Sequence, residues 1–229
     1  MKTARTSFDV VLVAASYGAH QSLPILLSGI PEDFPAAILI AYHVRRPASF
    51  MVELLQKTCA LPVRWATEGE PVTPGRVVLA APDYHLTIRP DQTLSCNSLR
   101  VWNFVRPSAD VLFQSAAEVW RERCVAAVLS GMGRDGALGA RAIKNAGGRV
   151  LAEHPSSCAS FAMPQAAIET GAVDFVLSVQ RLASAIVSLV TIPGVADLFR
   201  VSPDFALSHA YQYRSYRYPT DLPSLDRSS

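Results

Sequence analysis

Along the chain, short unbroken apolar runs alternate with segments whose apolar positions recur at helical spacing. Val10 to Val13 form the first run, Ala37 to Ala41 (AILIA) the second and Cys124 to Leu129 (CVAAVL) the third. None of them alternates apolar with polar, as a strand with one wet face would, so each predicts a strand of a parallel sheet buried on both faces. A loop and then a helical pattern follow each run. Leu23, Ile25 and Leu27 mark the first helix. Ser49 to Leu55, with Phe50, Met51, Leu54 and Leu55 on one face, marks the second, and the segment up to about Ala146 the third.

Shorter elements complete the pattern. Val63 to Trp65, Arg76 to Ala80, Val150 to Ala152 and Phe175 to Leu177 read as strands. Further helices run from Pro164 to about Thr170 and from Arg181 to Leu189. Another opens at Ser108, a natural N-cap, with Val111, Leu112, Ser115, Ala116 and Val119 as its inner face. Leu86-Thr87-Ile88 and Thr93-Leu94-Ser95 flank a Pro90-Asp91 turn and predict a β-hairpin, which makes the sheet mixed. The β/α alternation predicts an α/β fold: a doubly wound, mostly parallel sheet with helices on both faces and an antiparallel β-hairpin excursion. One domain is expected over residues 1–190. From Thr191 onward prolines, serines and a cluster of Tyr211, Tyr213, Tyr216 and Tyr218 with Arg214 and Arg217 predict a tail, 191–229, that is irregular or partly disordered. Such a tail suits packing on the domain or a partner better than binding single-stranded nucleic acid.

Composition narrows the class. With 229 residues, half of them hydrophobic, the chain can bury a full core. Its apolar runs are too short to span a membrane, and Met1 to Thr6 lead into a strand without a signal-peptide pattern; a cytoplasmic protein with no membrane insertion is expected. A formal net charge of +2 is too small to make nucleic acid the main partner. Cys59, Cys96, Cys124 and Cys158 are widely spaced, with no C-x-x-C pair, which predicts reduced buried thiols rather than a zinc site or a disulfide framework. The glycine-rich stretch Ser130 to Gly139 lacks the Lys-Ser or Lys-Thr of a Walker phosphate loop, and no metal or cofactor is expected.

Three residues carry the candidate chemistry. Ser16, His43 and Asp135 each follow a buried strand and precede a helix, where open α/β sheets place their ligand sites. Taken singly, each has an ordinary structural explanation. Ser16 could cap a helix or cradle a phosphate, since Ala14-Ala15-Ser16-Tyr17-Gly18 keeps only the second glycine of a hydrolase elbow; His43 could sit at the surface, and Asp135 could be an N-cap. A single parallel sheet, however, would bring all three to one edge, as nucleophile, general base and orienting carboxylate.

The motifs Ala15-Ser16 with Gly18, Tyr42-His43, Pro74-Gly75, Ala81-Pro82-Asp83-Tyr84-His85, Arg106-Pro107-Ser108-Ala109-Asp110-Val111-Leu112-Phe113, Ser130-Gly131-Met132-Gly133-Arg134-Asp135-Gly136 and Ala162-Met163-Pro164 occur in order between about Phe8 and Val190. Together they resemble the catalytic domain of the chemotaxis protein-glutamate methylesterases, the CheB family. The resemblance implies that Ser16 is the nucleophile, His43 the general base and acid, Asp135 its orienting carboxylate and the Met132 N–H an oxyanion donor. It further implies γ-methyl esters of glutamate on the cytoplasmic helices of chemoreceptors as substrate, with glutamine deamidation by the same acyl-enzyme route. Arg45, Arg46, Arg106 and Arg134 would then offer a basic docking rim, or form a solvated charged edge. Tyr17, Ala14 and Ala19 depart from the family's small, glycine-rich serine turn, and Tyr17 would narrow the mouth. The family's usual N-terminal receiver domain has no room before Phe8, so a stand-alone esterase or a separate regulatory chain is expected. Two alternatives stay open: a weakly catalytic or non-catalytic receptor- or partner-binding module of this fold, and an esterase of the same mechanism on another substrate.

Overall fold

A computed structural model of the chain describes residues 8–43, 50–98, 105–195 and 212–213. Seven parallel strands form the main sheet, in the order β3-β4-β2-β1-β7-β8-β9. They are β1 (Val10–Ala15), β2 (Ala37–Tyr42), β3 (Val63–Trp65), β4 (Val77–Leu79), β7 (Cys124–Val128), β8 (Arg149–Glu153) and β9 (Phe175–Leu177). The hairpin, β5 (His85–Ile88) with β6 (Leu94–Asn97), pairs antiparallel as a separate two-stranded sheet. The expectation of a mixed sheet is therefore corrected: among the described residues the main sheet is wholly parallel.

Period-two geometry divides the core into two layers. Val10, Leu12 and Ala14 of β1, with Leu39 and Ala41 of β2, face a cluster built by α3 (Ala109–Trp120), α4 (Ala137–Asn145), α5 (Ala162–Glu169) and the hairpin. Val11, Val13 and Ala15, with Ile38 and Ile40, face α1 (Ala19–Ser28), α2 (Phe50–Gln56) and α6 (Val179–Thr191). Both faces of each central strand are covered, so β1 and β7 are built of apolar residues and Cys124 alone, and β2 is apolar up to the half-buried Tyr42 at its end.

Helix phase is where the sequence pattern misleads. On α1 the buried face is Ser22, Leu23, Leu26 and Leu27, at i, i+1, i+4 and i+5, while Ile25 points outward. Leu23, Ile25 and Leu27 follow a two-residue spacing that cannot lie on one helical face. On α3 the inner face is Leu112, Phe113, Ala116, Ala117 and Trp120, one residue on from the expected set, because Phe113 and Trp120 contribute more apolar area than Val111 and Val119. Phe50 is exposed, whereas Met51 and Leu55 are buried.

Most of the expected tail lies outside the described residues. Its Tyr213 packs on the domain, with its ring 6.0 Å from that of His154 and 5.8 Å from that of Phe161.

Candidate active site

Strand register assembles the site. β1 lies between β2 and β7, and its last pairs are Ala15 with Tyr42 and Ala14 with Val128. One step beyond those pairs the chain leaves the sheet at Ser16 and His43 on adjacent strands, and at Ser130 and then Asp135 on the other side. This is the topological switch point, where successive crossovers leave in opposite directions and open a crevice. There His43 Nδ1 lies 3.1 Å from Ser16 Oγ and His43 Nε2 lies 2.7 Å from Asp135 Oδ2. With Nε2–H donated to the carboxylate, Nδ1 is left as an acceptor facing the serine hydroxyl. Ser16 is half-buried, His43 is largely covered and Asp135 is buried.

The nucleophile turn depends on one glycine. Gly18, with φ of 80°, is the cap residue of α1, and a Cβ there would lie 2.2 Å from the Cβ of Ala159. The turn therefore needs glycine at 18 alone. Ala14 and Ala15 belong to β1 and Ala19 opens α1, so none of them crowds the serine. Tyr17 is exposed at the mouth. Across from the serine, a Cβ on Gly131 would come within 2.8 Å of Ser16 Cβ and 2.2 Å of Met163 Sδ, so the Gly131-Met132 peptide is pressed against the nucleophile. The amides of Tyr17 and Met132 have no hydrogen-bond partner among the described residues.

Asp135 is held by four donors. Its Oδ2 accepts from His43 and from the Ala109 N–H at 2.6 Å; its Oδ1 accepts from Ser108 Oγ at 2.7 Å and the Asp110 N–H at 3.1 Å. Burial pushes this carboxyl up, but the bonds from His43, Ser108 and Ala109 outweigh burial and hold it below the ordinary aspartate range. Two of the donors are first-turn amides of α3, so the helix terminus stabilises the anion. The arrangement is reciprocal. Asp110, in the first turn of α3 and fully buried, accepts the Gly139 N–H at 2.8 Å from the first turn of α4. Each aspartate thus serves the other helix's N-terminus.

Burial, aided by the neighbouring Asp135 charge, pushes the Asp110 carboxyl up against the pull of the Gly139 N–H. The folded state therefore keeps a proton that the unfolded chain gives up at about pH 3.9. Wild-type stability declines as the pH rises from there through the raised folded value. Asp110→Asn keeps an oxygen for Gly139 and does not titrate. The variant's melting temperature relative to wild type is expected to be more favourable near about pH 8 than near about pH 4; an offset unchanged between the two would refute this.

The crevice around Ser16 and His43 encloses about 950 Å³ and is bordered by Tyr17, His20, Gln21, Tyr42, Arg106, Met132 and Ala159. Of the expected docking arginines, Arg106 lines this crevice and gives a hydrogen bond to the Ser98 carbonyl at 3.0 Å. Arg134 borders a neighbouring depression, is exposed and pairs with Glu169 at 3.4 Å. Arg45 and Arg46 lie outside the described residues. All four thiols are free; Cys59 and Cys124 are buried, whereas Cys96 and Cys158 are half-buried, contrary to the expectation for all four. Burial pushes the Cys124 thiol up to about 12 and raises the other three, leaving no thiolate to compete with Ser16. Sequence reasoning missed Ser108 as a partner of Asp135, and it missed Ser130, Ser160 and Glu153. Glu153 carried the same signal as Ser16 and His43, a polar residue closing a buried strand.

Fold and site together define a doubly wound α/β protein with a hydrogen-bonded Ser-His-Asp series at the carboxyl edge of its sheet. Comparison with known proteins makes the class specific. The chain belongs to the CheB methylesterase family, whose description matches residues 11–186. It is 39% identical over 185 residues to "Protein-glutamate methylesterase/protein-glutamine glutaminase 2" of Burkholderia lata, covering 80% of this chain and 55% of that protein. It is 33% identical over 184 residues to the "Putative protein-glutamate methylesterase/protein-glutamine glutaminase" of Leptospira interrogans, covering 80% of this chain and 95% of that one. The crystal structure of the Thermotoga maritima CheB methylesterase catalytic domain superposes with a TM-score of 0.76 at 34% identity, covering 80% of this chain and all of that domain. The chain thus spans about half the length of several curated relatives and nearly all of another.

Proposed function

We propose that the chain is a serine esterase that hydrolyses glutamate γ-methyl esters on the cytoplasmic helices of chemoreceptors and deamidates receptor glutamines by the same route. The observation that carries this reading is the His43 ring, bonded through Nδ1 to the Ser16 hydroxyl and through Nε2 to a buried carboxylate. Ser16 Oγ attacks the ester carbonyl while Nδ1 takes its proton. The developing oxyanion meets the free amides of Tyr17 and Met132. When the tetrahedral adduct collapses, Nδ1–H protonates the leaving methoxide and methanol departs, leaving Ser16 acylated. Water, deprotonated in turn by Nδ1, releases the glutamate carboxylate and restores the serine. With glutamine as substrate the leaving group is ammonia.

Arg106 at the crevice margin suits a substrate that is an acidic helix surface. The chemistry calls for no metal or cofactor, and among the described residues no helix is long and apolar enough to cross a membrane. Cytoplasmic action follows from the receptor segment proposed as substrate. The alternative of a binding module without catalysis is disfavoured, because docking alone gives no reason to align Nδ1 on a serine hydroxyl. The test is release of labelled methanol from methylated receptor membranes: release above a no-protein control supports the reading, and none from folded protein on receptors that a control esterase can demethylate refutes it.

A further inference from the structure

Glu153 closes β8 and is fully buried, yet it stands outside the Ser16, His43 and Asp135 series. Among the described residues no cation pairs with it. Its carboxyl is held by neutral donors: Ser22 Oγ gives a hydrogen bond to Oε1 at 2.8 Å, and the Ser130 N–H gives one to Oε2 at 2.8 Å. Burying a carboxyl on such terms is costly, and an apolar side chain would pack β8 against α1 without that cost. What the buried carboxyl holds from the site is the backbone of Ser130.

Ser130 spends its other polar groups on the two loops of the site. Its carbonyl accepts the Ser16 N–H at 3.0 Å, and its hydroxyl gives a hydrogen bond to the Tyr17 carbonyl at 2.8 Å while accepting the Ser160 N–H at 2.9 Å. Ser160 in turn brackets Gly131: its carbonyl accepts the Gly131 N–H at 3.0 Å, and its hydroxyl donates to the Gly131 carbonyl at 2.9 Å. These bonds tie loop to loop. The bond to Glu153 differs in kind, because through Ser22 and β8 it anchors the assembly to a helix and a strand.

We propose that Glu153 is a positioning residue of the acylation machinery, fixing Ser130 so that the Ser16 turn and the Gly131-Met132 peptide keep one spacing. The inference rests on the esterase reading above. Gly131 already packs against Ser16 with no room for a Cβ, so a shift of Ser130 moves the Met132 amide directly relative to the serine. A misplacement of about 1 Å at such a site costs up to about 100-fold in rate.

The experiment compares wild type, Glu153→Gln and Glu153→Met in three measurements: kcat and KM on methylated receptor, the rate of Ser16 labelling by a fluorophosphonate, and melting temperature. Methionine fills the space but leaves the Ser130 N–H unpaired. Its kcat and labelling rate are expected to fall together by about 10- to 100-fold, with KM within about threefold of wild type. Glutamine can accept from Ser130 and donate to Ser22, and is expected to recover at least about half of the wild-type kcat. A loss of folded structure alone would move melting temperature without this split and without rescue by glutamine. A folded Glu153→Met with kcat within about threefold of wild type overturns the proposal, as does a Glu153→Gln that loses as much as Glu153→Met. Where Glu153→Met does not fold, Ser22→Ala replaces it; it frees one side of the carboxyl and is expected to lower the labelling rate about threefold or more, and an unchanged rate counts against the inference. Wild type inert to both receptor and fluorophosphonate would instead mean that the esterase reading itself fails.

Discussion

Replacing Ser16 by alanine is expected to lower methanol release from methylated receptor by at least about 10,000-fold, on the pattern of nucleophile deletions in serine enzymes generally. Among the described residues the Ser16 hydroxyl is the nucleophilic group hydrogen-bonded to His43 Nδ1, and burial raises the Cys124 and Cys158 thiols, so neither is expected to substitute for it. The fold should be untouched. The Ser16 N–H still bonds to Ser130 and its carbonyl still accepts from Ala19, so only one partly solvated side-chain hydrogen bond is lost, worth about 1 kcal/mol. Methanol release and melting temperature measured on the same preparation decide the matter. A variant keeping a tenth of the wild-type rate would remove Ser16 from the chemistry.

Asp135→Asn is expected to be nearly as severe, on the order of 1,000- to 10,000-fold in kcat, and also to destabilise. All four partners of Asp135 donate, two to each oxygen. An amide offers one oxygen and one NH₂ group. With the NH₂ toward His43, Nε2 must become the acceptor, Nδ1 carries the proton, and the serine loses its base; the Ala109 N–H is also left unpaired. With the NH₂ turned the other way the imidazole keeps its tautomer, but the Asp110 N–H faces a second donor. Neither orientation satisfies the site. Steady-state kinetics with a thermal melt would show both losses, and an Asn variant of near-normal rate would contradict the orienting role.

The architecture was legible because β1, β2 and β7 are buried on both faces and so are uninterrupted apolar runs. Ser16 and His43 were legible because each follows such a run closely, and Asp135 because it lies in the glycine-rich turn between the third run and the next helix. Helix phase was less so: Ile25 is as apolar as Leu26, and only the packed sheet decides which is covered. Nor does the hairpin's sequence disclose that it stands apart from the seven parallel strands as a sheet of its own. The supporting groups were hardest to see. Ser130 and Ser160 are small polar residues among many, and their roles come from contacts that bring together segments 113 and 30 residues apart. Glu153 did obey the strand-end rule, but a lone glutamate after Val150 to Ala152 has no chemical partner in the sequence, and its meaning rests on Ser22, 131 positions away.

The exchange of caps between α3 and α4 bears on how lineages of this fold decay. A descendant that abandoned catalysis would be free to lose Ser16 or His43, whose side chains hold no helix end in place. It would not be free to lose Asp135 or Asp110, because each anchors the start of the other's helix. An intact aspartate is therefore poor testimony that a pseudoenzyme is still an enzyme, and in surveys of divergent copies the serine and the histidine are the positions to inspect.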